Sequence, residues 1–111
     1  METINELRDA IRSVLAEWEE LPRMKSDWHI VAVADTRRDR YSLHRVDHAN
    51  DRYDTRLLAY FEVRDGKIWI LTDNTEEGVA TDLVRYGVPK HQIVLAFYTP
   101  ALREVGEFAP A

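Results

Sequence analysis

Asp73, Glu76, Glu77 and Asp82 bring carboxylates together within a short stretch of the chain. Hard cations favour such oxygen-rich sets when a loop and a helix start present them. A metal-dependent hydrolase built on Asp73 and Glu76 is the chemistry this set would serve. Against it, the spacing matches no known metal-binding loop, and acidic residues at a helix start are expected on dipole grounds alone. His44 and His48 stand four apart beside Asp47 and Asp51, a spacing that would suit zinc on one face of a helix. Their surroundings instead read as a strand running into a polar loop over 47–52, and along a strand residues i and i+4 lie too far apart to share an ion. His29 and His91 have no neighbouring carboxylate that marks either as a base. No Ser, Thr or Tyr stands in a nucleophile-elbow or phosphate-loop word. Cysteine is absent, which removes thiolate catalysis, thiolate zinc sites and disulfides together. The expectation is a protein that is not an enzyme and takes no cofactor.

The elements that must position these residues follow from periodicity. Thr3-Ile4-Asn5-Glu6 has capping-box spacing, and Ile4, Leu7, Ile11, Val14, Leu15, Trp18 and Leu21 then form one apolar stripe on a helix ending before Pro22. Strands are expected over 28–34, 40–46 and 56–64, with Arg37-Arg38-Asp39-Arg40 as the turn between the first two. Asp65-Gly66 has the composition of a two-residue hairpin turn, where both central positions need positive φ. The returning strand, Lys67 to Thr72, sets Ile68 and Ile70 on one face and Trp69 and Leu71 on the other, so both faces want cover. Asp73, Asn74 and Thr75 compete to cap a second helix running from about Thr75 to Tyr86, stopped by Gly87 with Pro89 behind it. Gln92 to Tyr98 reads as a short apolar strand in a central position, and the chain after Pro100 as irregular. The fold class is α+β: an N-terminal helix, an antiparallel sheet centred on the Asp65-Gly66 hairpin, a second helix and a last strand, all in one domain over 1–111.

The 111 residues are 45% hydrophobic and 32% charged, with a net charge of −5, an ordinary balance for a soluble domain. No apolar run approaches the roughly 20 residues that span a bilayer, and no basic-then-apolar leader opens the chain, so a cytoplasmic protein is expected. A domain that neutralises phosphates normally shows a basic patch. Arg37, Arg38, Arg40 and Arg45 are the candidates for a DNA-contacting hairpin; in an acidic chain they read better as solvent-exposed charges, so direct nucleic-acid binding is not expected.

An ordered series of words runs through the second half: Asp65-Gly66-Lys67-Ile68-Trp69-Ile70, then Asp73 with Thr75-Glu76 and Gly78, Leu83-Val84, Gly87-Val88-Pro89-Lys90, and Ile93-Val94-Leu95 with Phe97. Looser echoes lie at Asp35, Asp39, Tyr41 and Leu43 and at Pro100, Arg103 and Glu107-Phe108-Ala109. In this series the chain resembles the XisI family, the fdxN element excision controlling factors, as a divergent member. Where that family usually carries a His-x-Asp pair this chain has Tyr60 and Glu62; Leu71 replaces a Gln, Ala96 a Gly and Gly106 a Thr. A role that needed the family's His is therefore absent here.

The resemblance implies a control protein in programmed DNA rearrangement, as in heterocyst-forming cyanobacteria, working beside a nuclease-fold partner called XisH, or an antitoxin-like pairing of the same kind. The expected role is a non-enzymatic regulatory partner. Its rivals are a DNA-binding accessory factor for site-specific recombination, using the four arginines, and the metal-dependent hydrolase. Trp69, Leu71, Asp73, Thr75 and Glu76 are the candidate partner-binding residues, and the two-faced strand at Lys67 to Thr72 leads to the expectation of a homodimer.

Overall fold

The protein is described here by a computed structural model covering residues 3–21 and 27–111. Its elements run α1 (Ile4–Glu19), β1 (Trp28–Asp35), β2 (Arg40–Ala49), β3 (Arg52–Arg64), β4 (Lys67–Asp73), α2 (Val79–Arg85), a 3-10 turn (Lys90–Gln92), β5 (Ile93–Leu95) and α3 (Pro100–Glu104). The α+β class holds. Thr3 opens α1 as its spacing requires: its hydroxyl oxygen accepts from the Glu6 amide at 3.2 Å and donates to the Glu6 carboxylate at 3.0 Å. Leu7, Ile11, Val14 and Leu15 are buried, while Ile4 and Leu21 at the ends of the stripe stay exposed. The expected stop at Pro22 falls outside the described residues. Among the described residues no helix is long and apolar enough to cross a membrane.

The strands form one five-stranded sheet in the order β1-β2-β3-β4-β5. The first three pairings are antiparallel, and β4 pairs β5 in parallel. The sheet is antiparallel around the Asp65-Gly66 hairpin as expected; the strand–helix–strand path through α2 returns the chain to the same edge in the same direction, which makes the last pair parallel. For the same reason β5 is not central. It stands at the sheet edge and is only three residues long, with a single further bridge from Val94 to Ala109. The chain leaves β5 early because Thr99 caps a short helix, α3, with Pro100 at its first position, where proline fits best. The expected irregular tail is thus partly helical.

Two further boundaries differ. The stretch 47–52, expected as a polar loop, is the end of a long hairpin whose only turn residues are Asn50 and Asp51, at φ 53° and 60°. Asn and Asp tolerate this left-handed region better than other non-glycine residues. At the expected start of the second helix, Thr75, Glu76 and Glu77 lie instead in a loop, because Gly78 at φ 89° cannot continue a helix and α2 starts at Val79. The Asp65-Gly66 turn forms as expected, at φ 51° and 72°.

The long α1 and the shorter α2 cover one face of the sheet. Leu7, Ile11 and Val14 of α1 and Val79 and Leu83 of α2 meet Tyr41, Leu43, Ala59, Phe61, Ile68 and Ile70 in a single core. The β1–β2 turn is tied into it through Asp39, which sits at φ 54°. Its carboxylate accepts from Arg8 Nε and Nη2 at 2.9 and 2.7 Å and from the Tyr41 hydroxyl at 2.9 Å, and its carbonyl accepts from the Val63 amide at 3.0 Å. Helix, turn and β3 therefore share one residue. The Arg8 hydrogen bonds hold the Asp39 carboxyl below its ordinary value, while burial and then Asp39 push the Tyr41 phenol up to about 12.

This anchor gives an acid signature. A carboxyl whose folded-state pKa is lowered contributes stability that is complete above its ordinary value of 3.8 and is lost as pH falls through the lowered one. Asp39→Asn keeps the backbone conformation and removes the charge. Its melting temperature should lie below that of the parent at pH 7, and the gap should close in acid, which paired thermal melts across that range will read.

Candidate partner-binding site

The candidate residues of β4 and the following loop end up on two sides of the sheet, and a bulge is the reason. Ile70 pairs with Phe61, but Thr72 pairs with Tyr60, so the register shifts at Tyr60/Phe61 and Leu71 is the extra residue. Beyond the bulge Thr72 shares the face of Tyr60, and Asp73 turns back opposite Ala59 toward α2. Strict alternation would have aimed Asp73 away from the helix.

On the helix side, Asp73 organises the loop. Its Oδ2 accepts from the Val79 amide at 2.8 Å, its Oδ1 accepts from the Thr75 amide at 3.0 Å and from the Thr75 hydroxyl, and Thr75 Oγ1 accepts from the Gly78 amide at 3.1 Å. Of the three residues competing to cap, Asp73 supplies the helix bond; Asn74 is drawn to β3, where its side chain donates to the Leu57 carbonyl at 3.0 Å. Asp73, Thr75, Glu76 and Glu77 then line a cleft of about 310 Å³ with Phe97 and Tyr98, whose rings lie 4.6 Å apart. Acid and aromatic surface together suit a cationic side chain. The carboxylates do not converge on an ion: Asp73 is spent on the loop, and Asp82 accepts from Trp18 Nε1 at 3.0 Å and pairs with Arg85 at 3.2 Å. Among the described residues no group of three or more His, Asp or Glu is placed to hold a metal.

On the other face of the sheet stands Trp69, half-buried and opposite Glu62. The Arg64 guanidinium lies over its ring at 5.2 Å. Its indole N–H is buried with no acceptor among the described residues. Tyr60 and Glu62 form a hydrogen-bonded pair, with the Tyr60 hydroxyl donating to Glu62. Glu62 also accepts from Arg64 Nε at 2.8 Å and faces Arg40 at 3.8 Å. The Tyr60 bond, and then Arg64, lower the Glu62 pKa, and the same bond raises that of Tyr60. Beside this network the Ser42 hydroxyl lies 2.9 Å from His44 Nε2, and Val33 is 49% exposed. Residue types alone do not single out this network, which runs mainly along β3; the alternating Tyr60-x-Glu62-x-Arg64 pattern, which sets all three on one face, is the signal that points to it.

The remaining candidates are dispersed. Arg37 and Arg38 are exposed in the β1–β2 turn, with Arg38 held by Asp35 at 3.2 Å. Arg40 lies on the Trp69 face. Arg45 lies on the opposite one, 4.8 Å over the Trp28 ring and bonded to Asp47 at 3.1 Å. His44 and His48 share a strand, and His48 stacks on Tyr53 at 4.2 Å.

A family model described as XisI protein matches residues 1–110. Among solved structures, an XisI-like protein from Anabaena variabilis ATCC 29413 is 25% identical, with a TM-score of 0.82, covering 96% of this chain and 98% of its own. The fdxN element excision controlling factor XisI from the same organism is 24% identical, with a TM-score of 0.77, covering 99% of this chain and 100% of its own. No curated protein matches.

Two outcomes follow from this geometry. Asp73→Ala removes the side chain that bonds the first amide of α2 and should lower stability by about 1–2 kcal/mol in chemical denaturation; an unchanged midpoint would mean that the loop holds itself. With the arginines divided between two faces and partly neutralised, duplex DNA should bind no tighter than about 10⁻⁴ M at physiological salt. Fluorescence anisotropy with labelled duplex measures this, and sub-micromolar binding lost in Arg37→Ala/Arg38→Ala would restore the DNA-contact reading.

Proposed function

The chain belongs to the XisI family, and from that premise we propose that it is a non-enzymatic regulatory subunit that binds an XisH-like nuclease-fold protein through the uncovered face of its sheet. One structural relative is an fdxN element excision controlling factor, and on that analogy the complex serves programmed DNA rearrangement or an antitoxin-like pairing. One observation supports this reading: α1 and α2 pack on the same side, while Trp69, the aromatic at the middle of β4, remains half-buried on the other with a buried indole N–H that has no acceptor among the described residues.

The chemistry of that face fits a protein partner. A large aromatic supplies apolar area, and Arg40, Glu62 and Arg64 supply a charged rim that excludes water once covered. Arg64 rests on the ring through a contact that an incoming carboxylate would replace. On the opposite side the cleft formed by Asp73, Thr75 and Glu76 offers a second, cation-seeking contact to a partner large enough to wrap the β4 end of the sheet.

Co-purification with an XisH-like nuclease-fold protein tests the proposal. Trp69→Ala should weaken the complex by about 2 kcal/mol, roughly 30-fold in dissociation constant, with an unchanged far-UV spectrum. A variant that assembles normally, or one that simply unfolds and so returns Trp69 to the core, would overturn it.

A further inference from the structure

The β2–β3 hairpin reaches past the rest of the sheet. β1 pairs with β2 only as far as Asp47, and β4 reaches β3 only from Ala59. Arg52 to Arg56 are therefore paired to β2 on one side, with no strand on the other among the described residues. The direction of their backbone groups follows from the turn. Ala49 and Arg52 flank the two-residue turn and exchange hydrogen bonds, so Arg52, Asp54 and Arg56 point their N–H and C=O groups at β2, and Tyr53, Thr55 and Leu57 point theirs at the open side. The Asn74 side chain, reaching the Leu57 carbonyl at 3.0 Å from that side, confirms the phase. Tyr53 is 71% exposed. Arg52 and Asp54, on either side of it, have no ion pair among the described residues, and Asp54 stands opposite a like charge, Asp47.

An open edge with unpaired backbone groups is a template for another strand, and its own symmetry narrows which. In a two-fold antiparallel pair, outward-pointing groups must face outward-pointing groups, so the axis passes through a residue rather than between two. An axis at Thr55 runs the second strand into Asn74. An axis at Asp54 sets Asp54 against itself and Arg52 against Arg56. An axis at Tyr53 meets no obstruction. It makes Tyr53 the hydrogen-bonded pair and sets Arg52 of each copy against Asp54 of the other in the flanking non-hydrogen-bonded positions, where side chains come closest. We propose that a second copy of this chain docks on the β3 edge in that register. The sequence alone places self-association on β4; placing it on the hairpin arm leaves the Trp69 face free, so this dimer does not depend on the partner proposed above. The contact is smaller than the roughly 1,000 Å² of a stable interface, so the dimer is weak, concentration-dependent and salt-sensitive.

Sedimentation of the full chain over a range of concentrations, at low and high salt, tests this. The parent should dimerise and added salt should weaken the dimer. R52D places anions on both sides of Tyr53 and D54R places cations there. Each alone should dimerise at least about 10-fold more weakly, and an equimolar mixture should recover the parent's dimerisation, because the two edges are then complementary. Recovery on mixing also shows that neither variant has lost its fold. Trp69→Ala should leave this dimer intact. A parent that stays monomeric, a dimer indifferent to both charge changes, or a mixture that fails to recover would overturn the proposal.

Discussion

The one-sided cover of the sheet is the constraint from which the rest follows. A chain of this size forms one core, and α1 and α2 spend their apolar stripes on the same face. Each large side chain buried there, such as Phe61, Leu7, Ile68 and Leu83, contributes on the order of 1.5–3 kcal/mol. No helix as long as α1 covers the opposite face among the described residues; Val94 beside Trp69 and Ser42 beside Tyr60 are still buried on it, and polar chemistry keeps the rest in water. The Tyr60, Glu62, Arg64 and Arg40 network meets that need, and it leaves Trp69 as a half-sheltered aromatic among charges. The surface that looks unfinished in the isolated chain is the surface proposed for the partner.

The bulges decide what each face presents. Without the shift at Tyr60/Phe61, Asp73 would join Trp69 and α2 would lose the carboxylate that holds its first amide. A second shift at Leu43/His44 does the same for β3: Ala59 stays in the core opposite Leu43 while Leu57 comes opposite His44. Each inserted residue lets one strand serve the core at one end and the surface at the other. The projecting hairpin arm arises because β1 stops opposite Asp47 and β4 opposite Ala59 while β2 and β3 run on to their turn.

Local chemistry is legible in the sequence wherever a single residue type settles the backbone. The Thr3 cap, the Asp65-Gly66 turn and the stop at Gly87 each have a side-chain or φ requirement that few other residues satisfy. The apolar stripe of α1 and the alternation of Ile68 and Ile70 mark the core. What escapes depends on contacts between distant segments. A bulge leaves no mark in one strand, since it is a mismatch between two. Asn50-Asp51 is hidden because its polar neighbours read as loop when, paired across the hairpin, they are strand. The late start of α2 turns on Gly78, whose φ is set by the loop that Asp73 gathers. The candidate partner-binding residues come from one continuous stretch of chain, and the structure divides them between a cleft and a sheet face because alternation and a bulge intervene.

The three tryptophans allow the central claim to be read directly. Trp18 and Trp28 pack against the core on the helix side, and Trp69 alone lies on the uncovered face. Oxidative footprinting of the chain, with and without an XisH-like protein, reports the solvent access of each indole. Binding through that face predicts that the complex protects Trp69 and leaves Trp18 and Trp28 unchanged. A complex that forms while Trp69 oxidises as fast as in the free chain would contradict it.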